Sequence, residues 1–376
     1  MGKKLIVVLV ALMAITALVI AGCAPEAAPP AEEEEEEAAP EEEEEEEEEA
    51  APEAEVITWI GQSTLPAGMP VSVGLEELAE RIKIASGGRF IWEPKPAGAV
   101  CPATEEYKAI DKGVLDFCAG GGSYMTADVP FGSMISQRVG AKLSPLGHMM
   151  WEETGGRDMI NKWFAEFGYD FMDVGGLHGL PEGWIHLDKE LKGPEDLEGL
   201  KMRCSGDGGT VLARMGVGSV FMPLGEIFEN MKRGVIDAFE CSNPSFDWDM
   251  GLYEVGKYYY QNPTRAPWEN YELLVSTTKW NELPDDLKVI VEDCGRAETV
   301  YYHSRLVDSC AVALQEFKDY GTIVEPLPKS IEEAFVIEAN KYLDERAAEF
   351  PSFKEILDSQ REFEANWAEL WGLPGG

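Results

Sequence analysis

Three short stretches of this sequence end in residues that can do chemistry. "LKMRC", Leu200 to Cys204, carries Arg203 near its end and runs into the glycine-rich "SGDGG". "VIDAFEC" runs out into Glu240 and Cys241, and "VLDFC" runs out into "AGGGSY", Ala119 to Tyr124. A guanidinium offers paired donors that match a carboxylate as a fork. A helix expected to start near Thr210 adds backbone donors and the positive end of a dipole beside it. Arg203 is therefore the first candidate for holding an organic anion. Glu240 is misplaced beside an anion unless a cation lies between them. It either binds a hard cation through its oxygens, or it orients Arg203 or a ligand hydroxyl.

The elements that must position these residues alternate in type. "VITWI" reads as a strand, Val56 to Ile60, and "VGLEELAERIKIASGG" as a helix through Leu75, Leu78 and Ile82 that stops at Gly87-Gly88. "RFIWEPKP", a helix ending at Gly113 and "VLDFC" follow. Later come "LKMRC", a helix through "TVLARMG", a helix closed by Gly234, and "VIDAFE". Such alternation predicts an α/β protein of βαβ units with mostly parallel sheets, whose ligands bind beyond the carboxyl ends of the strands. "YKAIDKGVLDFCA" and "FENMKRGVIDAFE" align on a shared G-V-[LI]-D, so one unit is used twice. Two similar lobes would then aim their strand exits into one cleft, with Asp116 and Asp237 making scaffold hydrogen bonds. From Pro284 onward the chain reads as one long helix, or two that meet near Gly295, with two more helices after Lys329.

The first residues read as an address. Lys3 and Lys4 precede an apolar run, Leu5 to Ala21, that closes on Ala21-Gly22-Cys23. This is an export signal, and small residues before a lone Cys make residues 1–23 a lipoprotein leader with lipidation at Cys23. Residues 24–55 are almost wholly Glu, Ala and Pro, a composition that cannot build a core and repels itself. They are expected to form a disordered tether reaching roughly 100 Å at full stretch. The whole chain of 376 residues carries a formal charge of −39. Without leader and tether, 52 acidic residues still face 29 basic ones. That argues against nucleic acid and anionic membrane surfaces as direct partners. Six cysteines remain, allowing 15 pairings that sequence cannot choose among. No C-x-x-C, H-E-x-x-H, G-x-S-x-G or P-loop is present, and the four histidines are scattered.

The run from Gly193 to Tyr260 resembles the substrate-binding proteins of tripartite ATP-independent periplasmic (TRAP) transporters. The likeness lies in "DLEGLKMR", in "EIFENMKRGVIDAFE", and in "HMMWEETGG" and "TTKWNELPDDLK" elsewhere. It implies a two-lobed binding protein of periplasmic type, with a long interlobe helix and a helical C-terminus, that closes on an organic carboxylate and is not an enzyme. Lobe I would span 56–178 with a return segment near 265–300, and lobe II 179–264. Residues 284–376 would pack on both. The Arg of the K-[IM]-R motif, here Arg203, pairs with the ligand carboxylate in that family.

"ECSNPSFDW" further resembles the branch that binds 2-oxoacids and lactate, adding Asn243 and Asp247 as substrate contacts. In that branch the Glu and the next carbonyl help hold a metal ion, here Glu240 and Cys241. Cys241 stands where the branch has Trp, and Leu180 where it has a Gln metal ligand, with Glu182 as a nearby substitute. "GGSYMTADVPF" makes Ser123 and Tyr124 further contacts. The implied protein needs no cofactor and leaves room for a calcium or sodium ion bridging ligand and Glu240. Its partners would be the small and large membrane subunits of a transporter and, through the lipid, the membrane. A homodimer stays open. So do a carboxylate sensor serving a signalling partner and an exported thiol hydrolase using Cys204 or Cys241.

Overall fold

The computed structural model describes residues 56–371. The leader with Cys23 and the tether over 24–55 lie outside the described residues, as do 372–376. Strand β1 (Ile57–Ser63) pairs in parallel with β2 (Phe90–Lys95) and β3 (Phe117–Gly120), through connections that include helices α1 (Pro70–Ala85) and α2 (Glu106–Asp111). Trp92 and Phe117 stack across this sheet with ring centroids 4.1 Å apart. Gly61 leaves the room for that stack, because a Cβ there would overlap the Phe117 ring. Strands β4 (Met172–His178) and β10 (Asn270–Val275) complete a five-stranded sheet of order β2-β1-β3-β10-β4.

The second sheet has six strands. They are β5 (Gly183–Leu187), β6 (Lys201–Arg203), β7 (Gly218–Val220), β8 (Ala238–Phe239), β9 (Tyr258–Gln261) and β11 (Ile323–Pro326), in the order β11-β9-β5-β8-β6-β7. Each sheet is parallel apart from one strand, β10 in the first and β5 in the second. Both odd strands follow a crossing between sheets, so each enters its sheet from the side facing the other. Helices α3 (Gly132–Ser136), α4 (Pro145–Trp151) and α5 (Arg157–Glu166) belong to the first half, and α6 (Gly206–Arg214), α7 (Ile227–Lys232) and α8 (Pro244–Asp249) to the second.

The repeated G-V-[LI]-D has the same job in both places. Gly113 and Gly234 adopt φ of 68° and 66°, a left-handed turn that ends α2 and α7. The next residue, Val114 or Val235, faces solvent, and Leu115 or Ile236 is buried. Asp116 then accepts from Ile60 N at 2.8 Å, and Asp237 from Lys201 N at 3.0 Å. Each aspartate ties the incoming strand to its parallel neighbour, as expected for scaffold.

After α9 (Thr277–Glu282), helix α10 (Asp285–Tyr320) runs 36 residues without a break. Gly295 does not interrupt it. A mid-helix glycine costs only about 1 kcal/mol, and α10 is held by β4 and α1 in one half and by α8 and β11 in the other. Helix α11 (Lys329–Glu349) packs on α6, and α12 (Pro351–Leu370) on α4 and α5. Among the described residues, no helix is long and apolar enough to cross a membrane.

Candidate functional site

The exits of β6 and β8 lie side by side, and two arginines meet one carboxylate there. Arg203 ends β6, almost wholly buried at 1% exposure. Its Nη1 donates to the Glu240 carbonyl at 3.0 Å and to Glu240 Oε1 at 3.1 Å, and its Nε donates to the Met222 carbonyl at 3.2 Å. Glu240 Oε1 also accepts from Ser205 N at 2.6 Å and Ser205 Oγ at 3.0 Å. Its other oxygen lies 3.1 Å from Arg265 Nη1. Arg265 in turn donates to Glu182 Oε2 at 2.6 Å and to the Gly183 carbonyl at 2.8 Å. Helix α6 begins at Gly206, four residues before the expected Thr210, because Gly206 takes φ of 55° and turns the chain at once. The first donors after β6, on Ser205, therefore serve Glu240.

Across from this wall stands Glu269, between the crossing from the second sheet and β10. Ser242 Oγ donates to it at 2.9 and 3.0 Å, and Tyr271 OH at 2.7 Å. Gly121, Ser123, Tyr124, Ser136, Gln137, Glu182, Arg203, Ser205, Leu224, Cys241, Glu269 and Tyr271 enclose a cavity of about 20 Å³. That is room for little more than one water. Arg203, Tyr124 and Leu224 also border an apolar pocket of about 350 Å³, lined further by Leu65, Pro66, Met69, Phe221, Phe246 and Met250. Residues from both sheets' halves line each space.

Three buried carboxylates here face two guanidiniums. Burial works against the charge of Arg203, yet the adjacent Glu240 holds its guanidinium above the ordinary value. Burial pushes Glu269 up to about 7 even though Tyr271, Ser242 and Asn243 donate to it. Burial also holds Glu182 well above the usual carboxylate range, only partly offset by Arg265.

The structure thus brings Arg203, Ser123, Tyr124, Glu182 and Cys241 onto one cavity. Glu240 is absent from its lining; both its oxygens face arginines, so it braces Arg203. Asn243 and Asp247 line none of the cavities described here. Asn243 caps α8 by accepting from Phe246 N at 3.2 Å. Asp247 accepts from Ser242 N at 3.0 Å and lies 2.9 Å from His186 Nε2, fully buried behind the wall. The sequence reading missed Arg265, Glu269 and Tyr271. They sit in "TRAPWENYE", and the signal for them was an Arg and a Glu amid apolar residues. All six cysteines among the described residues are free. Burial pushes the Cys204 thiol up to about 12 and Cys241 well above its usual value, opposite to an activated thiolate.

Two lobes with their strand ends aimed at a shared cleft, and a braced arginine inside it, define a solute-binding protein of periplasmic type. The chain belongs to the bacterial extracellular solute-binding proteins of family 7, DctP, whose family model matches residues 60–349. A monocarboxylate 2-oxoacid-binding periplasmic protein of Nostoc sp. is 27% identical over 317 residues, 82% of this chain and 84% of that protein. A TRAP solute-binding protein of Colwellia psychrerythraea, solved with calcium and pyruvate, superposes with a TM-score of 0.78 at 25% identity, covering 84% and 97% of the two chains. One from Bordetella bronchiseptica, solved with calcium and picolinate, gives 0.78 at 23% identity, covering 84% and 95%.

Proposed function

We propose that this protein captures a small 2-oxo or 2-hydroxy monocarboxylate between lobe I (56–178, with a return segment near 265–300) and lobe II (179–264). It then hands the acid to the membrane subunits of a TRAP-type transporter. The observation that carries the reading is Arg203: buried, braced by Glu240, and set on the wall shared by the small polar cavity and the apolar pocket. The carboxylate takes the free face of the guanidinium, and the carbon chain enters the space between Met69, Leu224 and Phe246. Ser123 and Tyr124 close over it from lobe I. A calcium or sodium ion bridges the ligand's oxygens to Glu182, Glu269 and the Cys241 carbonyl, and lets these buried acids ionise. Relatives solved with calcium beside pyruvate or picolinate support the pairing of hard cation and acid. Cys23 carries the lipid, and the acidic tether lets the lobes work away from the membrane.

The test is calorimetric titration of chelator-treated protein with 2-oxoacids of increasing chain length and with dicarboxylates, with and without calcium. Monocarboxylates are expected to bind, longer apolar chains at least as well as pyruvate, and calcium to tighten them. Arg203→Ala should weaken binding about 100-fold, the loss of a charge-assisted fork. Binding unchanged in Arg203→Ala sinks the site. Affinity indifferent to chelation sinks the cation alone.

A further inference from the structure

A second buried polar cluster lies behind the ligand site. His148, on α4, and Glu152, one helical turn later, present their side chains from one face, and His178 ends β4 opposite them. One ligating atom from each of the three falls within 4.8 Å of the others. Glu152 Oε2 is 3.1 Å from His178 Nε2, and Glu152 Oε1 is 3.6 Å from His148 Nδ1, beyond hydrogen-bond reach. Among the described residues, no group pairs with either ring nitrogen of His148 or with His178 Nδ1, although both rings are buried. The chain widens into a π-type turn at Glu152–Gly156, where Gly155 takes φ of 118°.

We propose that His148, Glu152 and His178 bind one transition-metal ion of the zinc class, and that this ion fastens the segment leading into β10 that carries Glu269. Two imidazoles and a carboxylate are a donor set for zinc, cobalt or nickel and a poor one for calcium. Ligands at zinc bond lengths stand roughly 3.4 Å apart in a tetrahedron, so the rings need only a small inward adjustment. Arg157 touches the same carboxylate at 3.1 Å, but it also faces Glu153 at 2.6 Å and Asp173 at 4.0 Å. With Arg296 spent on Glu153 at the surface, the cluster remains short of positive charge. A pocket of about 360 Å³, bordered by His178, Arg157 and Gly176, offers an entry path and a place for a fourth, water ligand. The link to the ligand site is direct. Trp268 stacks on the His148 ring with centroids 4.2 Å apart, and Asn270 Nδ2 donates to Glu152 at 3.1 Å. Those two residues flank Glu269.

The experiment uses the untagged full chain, stripped with a chelator and titrated with Co²⁺ or Zn²⁺. One retained equivalent is expected, with the visible absorption of low-coordinate Co²⁺ and a raised melting temperature. Excess calcium should not displace it. His148→Phe keeps the ring volume and the Trp268 stack, and should bind Co²⁺ about 100-fold more weakly. Glu269→Gln should keep the ion. If His148→Phe does not fold, X-ray absorption on zinc-loaded wild type decides, by showing or lacking two imidazole ligands. The proposal falls if wild type retains no stoichiometric ion, if imidazole is absent from the absorption spectrum, or if Glu269→Gln loses the ion while His148→Phe keeps it.

Discussion

The exits of β3 and β8 share one turn and part company one or two residues later. At the β8 exit, Glu240 is buried between two guanidiniums and two donors of Ser205. At the β3 exit the buried acids are Glu106 and Glu272, and neither has an ion-pair partner among the described residues. Glu106 accepts from Gln62 Nε2 at 2.9 Å, and Glu272 from Gly122 N at 2.7 Å. Burial pushes Glu106 up to about 7 and Glu272 well above the usual range. One exit thus sets its acid between cations, and its twin buries acids with only neutral donors beside them. The shared glycine and aspartate set the backbone in both cases; the cations nearby decide what the carboxylates become.

Removing Glu240 breaks this difference most severely. Glu240→Ala leaves Arg203 and Arg265 buried without their common anion, and deleting one partner of a buried pair costs about 3–5 kcal/mol. Chemical denaturation should register a loss of that size. Anion affinity should fall as well, since Arg203 loses its brace. A loss below about 1 kcal/mol, the scale of an exposed pair, would mean that the two arginines repair their charges elsewhere and that the β8 exit is no charge centre.

The β3 exit is tested by pH. Glu106 has a folded pKa raised to about 7, above its unfolded value. The folded state therefore holds the proton more tightly, and this contribution is fully present below the ordinary carboxylate pKa. It is lost as pH rises through about 7. Glu106→Gln removes the dependence, keeps an acceptor for Gln62, and should stabilise the protein by roughly 3 kcal/mol at pH 8 relative to wild type. At pH 4 the two should match. Melting curves at both pH values check this. A gain of equal size at both would trace the effect to packing, and the contrast between the exits would shrink to a difference in partners.

Much of this contrast was readable in the chain. Alternating apolar runs with glycine stops give the parallel strands, and the repeated G-V-[LI]-D marks the twin exits because its glycine and aspartate act locally. Arg203 and Glu240 announced themselves as charges at strand ends. Arg265 and Glu269 did not. Their roles arise when the chain crosses back between sheets and lays them against partners far away in sequence, Glu240 and Ser242 among them. His148 and His178, 30 positions apart, looked scattered for the same reason. Asn243 and Asp247 follow Glu240 closely in the chain, and a helix starting at Pro244 turns them to capping and to the core.

The scaffold half of the comparison has the smallest expected effect. Asp116 and Asp237 each accept one backbone N–H from a neighbouring strand, and Asp116 also pairs with Lys279. Replacing either by Ala leaves a strand N–H without its acceptor, a cost of about 1 kcal/mol. If the two turns are the same device, Asp116→Ala and Asp237→Ala should lower stability alike and leave ligand affinity within about twofold, because neither side chain reaches the cavity. Asp116 is the more protected position, and the Lys279 pair is partly exposed, so its extra share stays within the range of about 0–1 kcal/mol for a surface pair. A loss of affinity confined to Asp237→Ala would show that the β8 exit depends on its turn for placing Glu240. The turn would then be part of the binding apparatus in one lobe and plain scaffold in the other.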